Sequence, residues 1–409
     1  MRQLKYSTGC LVACWACGTA AEIETTRVWD STGIRIVENL ADTALVPRAA
    51  LDLVTEIQDR EDSLEYDLWH VSGAVRRADG RVIVASGHAP TVRLFDANGW
   101  FLETILGYGS GPGEVRSPNL LWPLGADTLE VFDFALRRTI RFTASGALLG
   151  IDPLGELPYS AYPIGRLADG TLVGRQVVYP EDGRTSGPVE RLPLFVLRMA
   201  SGGSHSDTVL EAPGYEVYPT EGKEGSVVFP TRRTLEFGRE TTVRVDRANI
   251  WVGTATRFQI ERRDSSGTVI ALTRLEVPSQ RVTEQDIEAD KARQLDNLAA
   301  WTASEQMKAQ LRERIESGRY AEEFPPYERF FVDANGGLWV EAFRRPTDAV
   351  RRYLLFDPEG FLIGKVELPE GCRLLSVKDD HIVTRHVDAD GLESVMVYRV
   401  DVGGSTSDG

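Results

Sequence analysis

The chain has 409 residues, 42% of them hydrophobic and 26% charged, with a formal net charge of −15 at pH 7. That acidity excludes nonspecific binding to nucleic acid or to anionic lipid headgroups. No run of about 18 apolar residues is present to form a transmembrane helix, and the composition supplies material for a large core.

Residues 1–24 read as a leader and tether rather than as fold. Arg2 and Lys5 make a basic start, an apolar stretch runs from Tyr6 to Ala13, and Leu11-Val12-Ala13-Cys14 resembles a bacterial lipobox. This implies cleavage and lipidation at Cys14, so that the membrane is reached only through the lipid anchor. Cys10, Cys14 and Cys17 have the C-x3-C-x2-C spacing of a radical SAM iron–sulfur motif, but no βα pattern follows them. Cys372 and Cys17 alone make no disulfide framework.

Ile34 to Leu40 and Asp52 to Ile57 are strand candidates, and the acidic stretch Asp59 to Asp67 is a surface loop. Val75 to Pro118 then sets a pattern. Ala78-Asp79-Gly80 is a turn, Arg81 to Ala85 a strand buried on both faces, and Thr91 to Phe95 an alternating strand with one wetter face. Asp96-Ala97-Asn98-Gly99 turns again into an outer strand from Trp100 to Leu106. Gly107 to Gly113 reads as a structural connector, because no helix follows it and Glu114 would repel a phosphate.

Copies of the pattern follow. Leu129 to Asp133 and Arg138 to Phe142 form the second. Ala168 to Val173 and Leu194 to Met199 form the third, with polar loops expected at Glu181 to Glu190 and Ala212 to Ser226. Ile250 to Gly253 with Phe258 to Arg262 gives the fourth, and Asp333 to Val340 with Tyr353 to Phe356 the fifth. Arg373 to Val377, His381 to Thr384 and Val395 to Val400 give only three strands of the sixth. Units at periods of roughly 40 to 60 residues indicate an all-β, six-bladed β-propeller over 25–403. Asp52 to Ile57 is expected to pair with Val395 to Val400 and close the last blade. Residues 404–409 read as a disordered tail.

With these residues in view, the chain resembles the six-bladed NHL-like β-propellers, especially bacterial envelope "6-bladed β-propeller" lipoproteins of unknown activity. Val84-Ala85-Ser86-Gly87-His88, Arg93-Leu94-Phe95-Asp96 and Gly107 to Val115 carry the resemblance, which covers about Leu51 to Val402. It implies a fold and a place in the cell envelope, not an activity.

One insertion breaks the repeat, about 283–318, between the fourth and fifth units. Capping boxes at Thr283/Asp286 and Thr302/Glu305 predict helices over 284–300 and 303–317, stopped by Gly318. Ile287, Leu295 and Leu298 stripe the first, and Met307, Leu311 and Ile315 the second. The stripes are expected to pack as a lid over one channel mouth, with a pocket bounded by 283–318 and Gly107 to Pro118.

The five histidines, His70, His88, His205, His381 and His386, form no ligand motif, and no nucleophile motif occurs in a strand–turn–helix context. No catalytic, ligand-binding or metal residue is therefore assigned. Two functions stay open. One is a monomeric envelope propeller, without cofactor, that binds a small ligand or an envelope protein. The other is a metal-assisted hydrolase, lactonase or lyase, whose carboxylate-rich site in the central channel would leave no local motif.

Overall fold

The structure, a computed structural model, describes residues 25–402 apart from 61–62, 126, 156–159, 200–205, 225–226 and 302. The leader with Cys14, together with His205, Thr302 and the tail 404–409, lies outside the described residues.

The described strands fall into six sheets, each built around four antiparallel strands. The first holds Val71–Arg76, Val82–Ser86, Thr91–Phe95 and Phe101–Tyr108, and the second Pro118–Pro123, Thr128–Asp133, Arg138–Thr143 and Leu148–Pro153. The third runs through Ala161–Arg166, Leu172–Val177, Glu190–Met199 and Ser206–Glu224, with Val227–Thr234 added outside. The fourth has Thr242–Val245, Ile250–Gly253, Gln259–Arg263 and Val269–Leu275. Ile34–Asn39 and Thr26–Ser31 extend its outer edge. The fifth has Arg329–Val332, Leu338–Glu341, Arg352–Phe356 and Leu362–Glu367. The sixth has Cys372–Lys378, His381–Val387 and Glu393–Asp401, and its fourth strand comes from the other end of the chain: Ala50–Gln58 pairs with Glu393–Asp401, Ile57 opposite Val395 and Leu51 opposite Val400.

The first strands lie together at the middle. That of the sixth sheet adjoins that of the first, and neighbours adjoin likewise from the third sheet to the sixth. Ser72 Oγ donates to Pro118 O at 2.6 Å and Ser376 Oγ to Ala74 O at 2.7 Å, tying the first sheet to the second and the sixth to the first. Six apolar clusters fill the gaps between successive sheets. Ile83, Leu94 and Val131 meet between the first and second, while Ile57, Val395 and Val84 meet between the sixth and first. Sheets packed face to face in radial order make this a β-propeller.

Being covered on both sides explains one departure from the alternating pattern. All of Thr91–Phe95 is buried, Arg93 included, because neighbouring sheets cover both faces. Arg93 Nη1 donates to Asp67 O at 2.7 Å. The expected loop at Ala212 to Ser226 is also corrected: its described residues lie in Ser206–Glu224, a 19-residue strand that hydrogen-bonds on both edges. Pro219 and Gly222 lie in the part paired with Val227–Thr234, while Pro213 stands opposite Pro193.

Two glycines are required by geometry. Gly99 turns at φ +85, and a Cβ there would come within 2.3 Å of Glu56 O on the strand that completes the sixth sheet. At Gly109 a Cβ would lie 2.1 Å from Glu114 Oε2, whose carboxylate accepts from Gly111 N at 2.6 Å. The 107–113 segment is thus a connector folded around Glu114.

The helices are α1, Glu284–Ala300, and α2, Glu305–Glu316. They lie in the chain between the last strand of the fourth sheet and the first of the fifth. Thr283 and Asp286 form the expected capping box, while α2 is capped by Ser304, whose Oγ accepts from Met307 N at 3.3 Å.

Candidate functional site

The insertion docks differently from expectation. Of the apolar stripe residues only Leu298 is buried, and Met307 is 45% exposed. The buried face of α1 instead carries Asp286 and Asp290, each 1% exposed and one helical turn apart. Arg345 grips Asp286 with two guanidinium nitrogens at 2.7 to 3.0 Å and holds its carboxyl down at about 2. Asp290 accepts from Tyr320 Oη at 3.0 Å and Gln294 Nε2 at 2.7 Å, and pairs with Arg293. Burial, then the Asp290 charge, pushes the Tyr320 phenol up. Buried carboxylates need such partners, and these fix where α1 sits.

Beneath lies an aromatic knot. Phe237 packs against Tyr320 and Phe324 at 5.1 Å between ring centroids and against Phe343 at 5.9 Å. It joins the connector between the third and fourth sheets, the exit from the insertion, and the loop after Leu338–Glu341.

Beside the knot is a cavity of about 560 Å³. Its walls are the segments entering and leaving the insertion, Glu276 to Gln280 and Glu323 to Pro326, with Thr256 to Phe258 of the fourth sheet and Ala342, Phe343 and Arg345 of the fifth. No residue of 283–318 or of Gly107 to Pro118 lines it, and no first-strand residue either, so this cavity is not the one expected beneath the helices. The cavity lies where the segments that enter and leave the insertion meet residues of the fourth and fifth sheets. Phe258, Leu275, Val277, Phe324 and Phe343 give the lining an apolar part, beside a polar part that includes Arg239, Glu276, Glu323 and Asp348. Among the described residues the Arg257 guanidinium has no hydrogen bond or ion pair.

A second constellation gathers at the beginnings of the first strands of the fourth, fifth and sixth sheets. Glu341, fully buried, stands opposite Arg329 in register. Its Oε2 lies 2.7 Å from Arg329 Nε, and Arg351 pairs with its other oxygen. Glu328 contacts the same two guanidinia at 2.9 and 3.6 Å. Burial opposes the charges of Glu341 and Arg329, but the ion pairs prevail, holding Glu341 below the usual carboxylate range and Arg329 above its ordinary value. Breaking such a buried pair from one side costs about 3–5 kcal/mol.

More arginines surround this neutral core. Arg244 lies 5.4 Å from the Phe331 ring centroid and donates only to Val243 O among the described residues. Burial, with Arg175 and Arg329 nearby, pushes Arg244 down to about 10. Arg175 faces Glu240 at 3.6 Å. Arg373, between buried Cys372 and Leu374, is lowered by the partial desolvation of its guanidinium and by Arg329 and Arg351. Arg344 is lowered by burial, Arg351 and Arg293 of α1, so the insertion reaches this cluster too. Neither the Arg344 nor the Arg373 guanidinium has a hydrogen bond or ion pair among the described residues.

The histidines are dispersed. His70 and His88 flank half-exposed Trp69 at 6.0 and 5.9 Å, His381 meets Asp380 at 2.6 Å, and His386 meets Ser394 at 3.4 Å. Among the described residues no group of three or more His, Cys, Asp or Glu is arranged to hold a metal ion. No described helix is long and apolar enough to cross a membrane.

No family model matches the chain, and no curated protein matches it. Among solved structures it is similar to a protein of Bacteroides fragilis described as exported, at 13% identity and TM-score 0.49, covering 90% of this chain and 100% of that one. A member of the DUF4221 family from Bacteroides vulgatus has 9% identity and TM-score 0.49, covering 87% and 99%. Virginiamycin B lyase of Staphylococcus aureus has 12% identity and TM-score 0.39, covering 86% and 99%.

Proposed function

We propose that the protein is a six-bladed, NHL-like β-propeller of the bacterial envelope, lipid-anchored through Cys14. It acts as a monomer that binds a small organic acid in the cavity at the root of its helical insertion. The observation that carries the binding site is that cavity of about 560 Å³, within the size range of ligand pockets. The aromatic and aliphatic part of its lining suits an apolar body, and within its polar part the unpaired Arg257 suits a carboxylate. The six sheets and the six apolar clusters between them support the blade count. Leu11-Val12-Ala13-Cys14 behind a basic start supports the anchor.

A panel of aromatic and aliphatic carboxylates, each with its neutral amide, tests the pocket by thermal shift. The carboxylates should raise the melting temperature more than the amides. Ala342→Phe, which fills the cavity, should abolish the shift, and Arg257→Gln should weaken binding about tenfold. Equal shifts in the wild type and Ala342→Phe would place the site elsewhere. For the anchor, the full chain made in a bacterium should partition into detergent and Cys14→Ser should not; equal partitioning counts against lipidation.

A further inference from the structure

We propose that the arginine cluster at the beginnings of the first strands of the fourth, fifth and sixth sheets is a second binding site, for a compact, multiply charged oxyanion. This goes beyond the organic-acid pocket and does not depend on it. Six arginines, at 175, 244, 329, 344, 351 and 373, face three glutamates, at 240, 328 and 341, in a chain whose net charge is −15. An acidic protein with no local use for such an excess would disperse it, because like charges brought together repel and cost stability.

The arginines are of two kinds. Arg329 and Arg351 are consumed by the two glutamates between them and form a rigid base. Arg344 and Arg373 have no partner among the described residues, and Arg244 gives its guanidinium only one backbone oxygen. A planar guanidinium presents paired donors that match carboxylate or phosphate oxygens two at a time. Three such groups around a fixed ion-pair base leave three positive charges uncompensated, which sets the complementary charge at two or three negative.

The loop after Leu338–Glu341 separates the two sites. Ala342, Phe343 and Arg345 line the organic-acid cavity, and Arg344 does not. Arg344 instead follows by three residues Glu341, the carboxylate that Arg329 and Arg351 hold.

Calorimetric titration of the full chain with pyrophosphate and with citrate, at matched ionic strength in chloride, tests the proposal. Saturable binding of either supports it, and which one binds separates a phosphate from a carboxylate ligand. Affinity should fall as salt is raised. Arg344→Gln and Arg373→Gln should each lower it at least tenfold, while raising the ligand-free melting temperature, since each removes a repelling charge and no native contact. Absence of binding to both anions, equal binding by wild type and variants, or a lower ligand-free melting temperature in either variant would overturn the proposal. None of these residues takes part in the cavity test, so the two readings fail independently.

Discussion

Asp286 shows how one side chain can decide the placement of a whole segment. It caps α1 through Thr283 and, from the same carboxylate, ties the helix to Arg345 of the fifth sheet. Its folded pKa of about 2 lies below the roughly 3.9 of an unfolded aspartate. The tie therefore contributes fully above about pH 4 and is lost as pH falls from about 4 toward 2. Asp286→Asn should reproduce that loss at pH 7. Charge-assisted hydrogen bonds contribute about 1.5–3 kcal/mol, so α1 amides should exchange hydrogen roughly ten- to a hundredfold faster, with the sheets unchanged. Unchanged protection of α1 would mean that the helix is held by its partly buried apolar residues instead.

At the scale of elements, the parts written locally in the sequence are the parts it revealed. Asp96 Oδ1 accepts from Asn98 N and Trp100 N, and the φ +85 of Gly99 completes the turn, so Asp-Ala-Asn-Gly signals a hairpin by itself. The capping box of α1 is equally local. The long strand Ser206–Glu224 was hidden because Pro213, Gly214, Pro219 and Gly222 look like loop residues. What makes it a strand is pairing with Glu190–Met199 and Val227–Thr234, which neighbouring residues do not encode. The apolar stripes misled for a related reason. An apolar stripe marks a face, but the buried face of α1 was chosen by carboxylates whose partners, Arg345 and Tyr320, lie far along the chain. The arginine cluster was the least legible feature, since each member taken alone reads as a solvated charge.

At the scale of the molecule, the defining feature is that Ala50–Gln58 joins the C-terminal strand Glu393–Asp401 in the sixth sheet. Each sheet covers the next, so a missing strand exposes the core on both sides of it; Ile57 is fully buried between the sixth and first sheets. The earlier segment 26–39 only extends the outer edge of the fourth sheet and leaves this closure intact. Two truncations separate these roles by thermal unfolding. A chain beginning at residue 41 keeps Ala50–Gln58 and should melt cooperatively, with a lowered midpoint. A chain beginning at residue 61 loses that strand and should show no cooperative transition. If it instead melts cooperatively at the full-length temperature, the ring is not closed by its N-terminal strand.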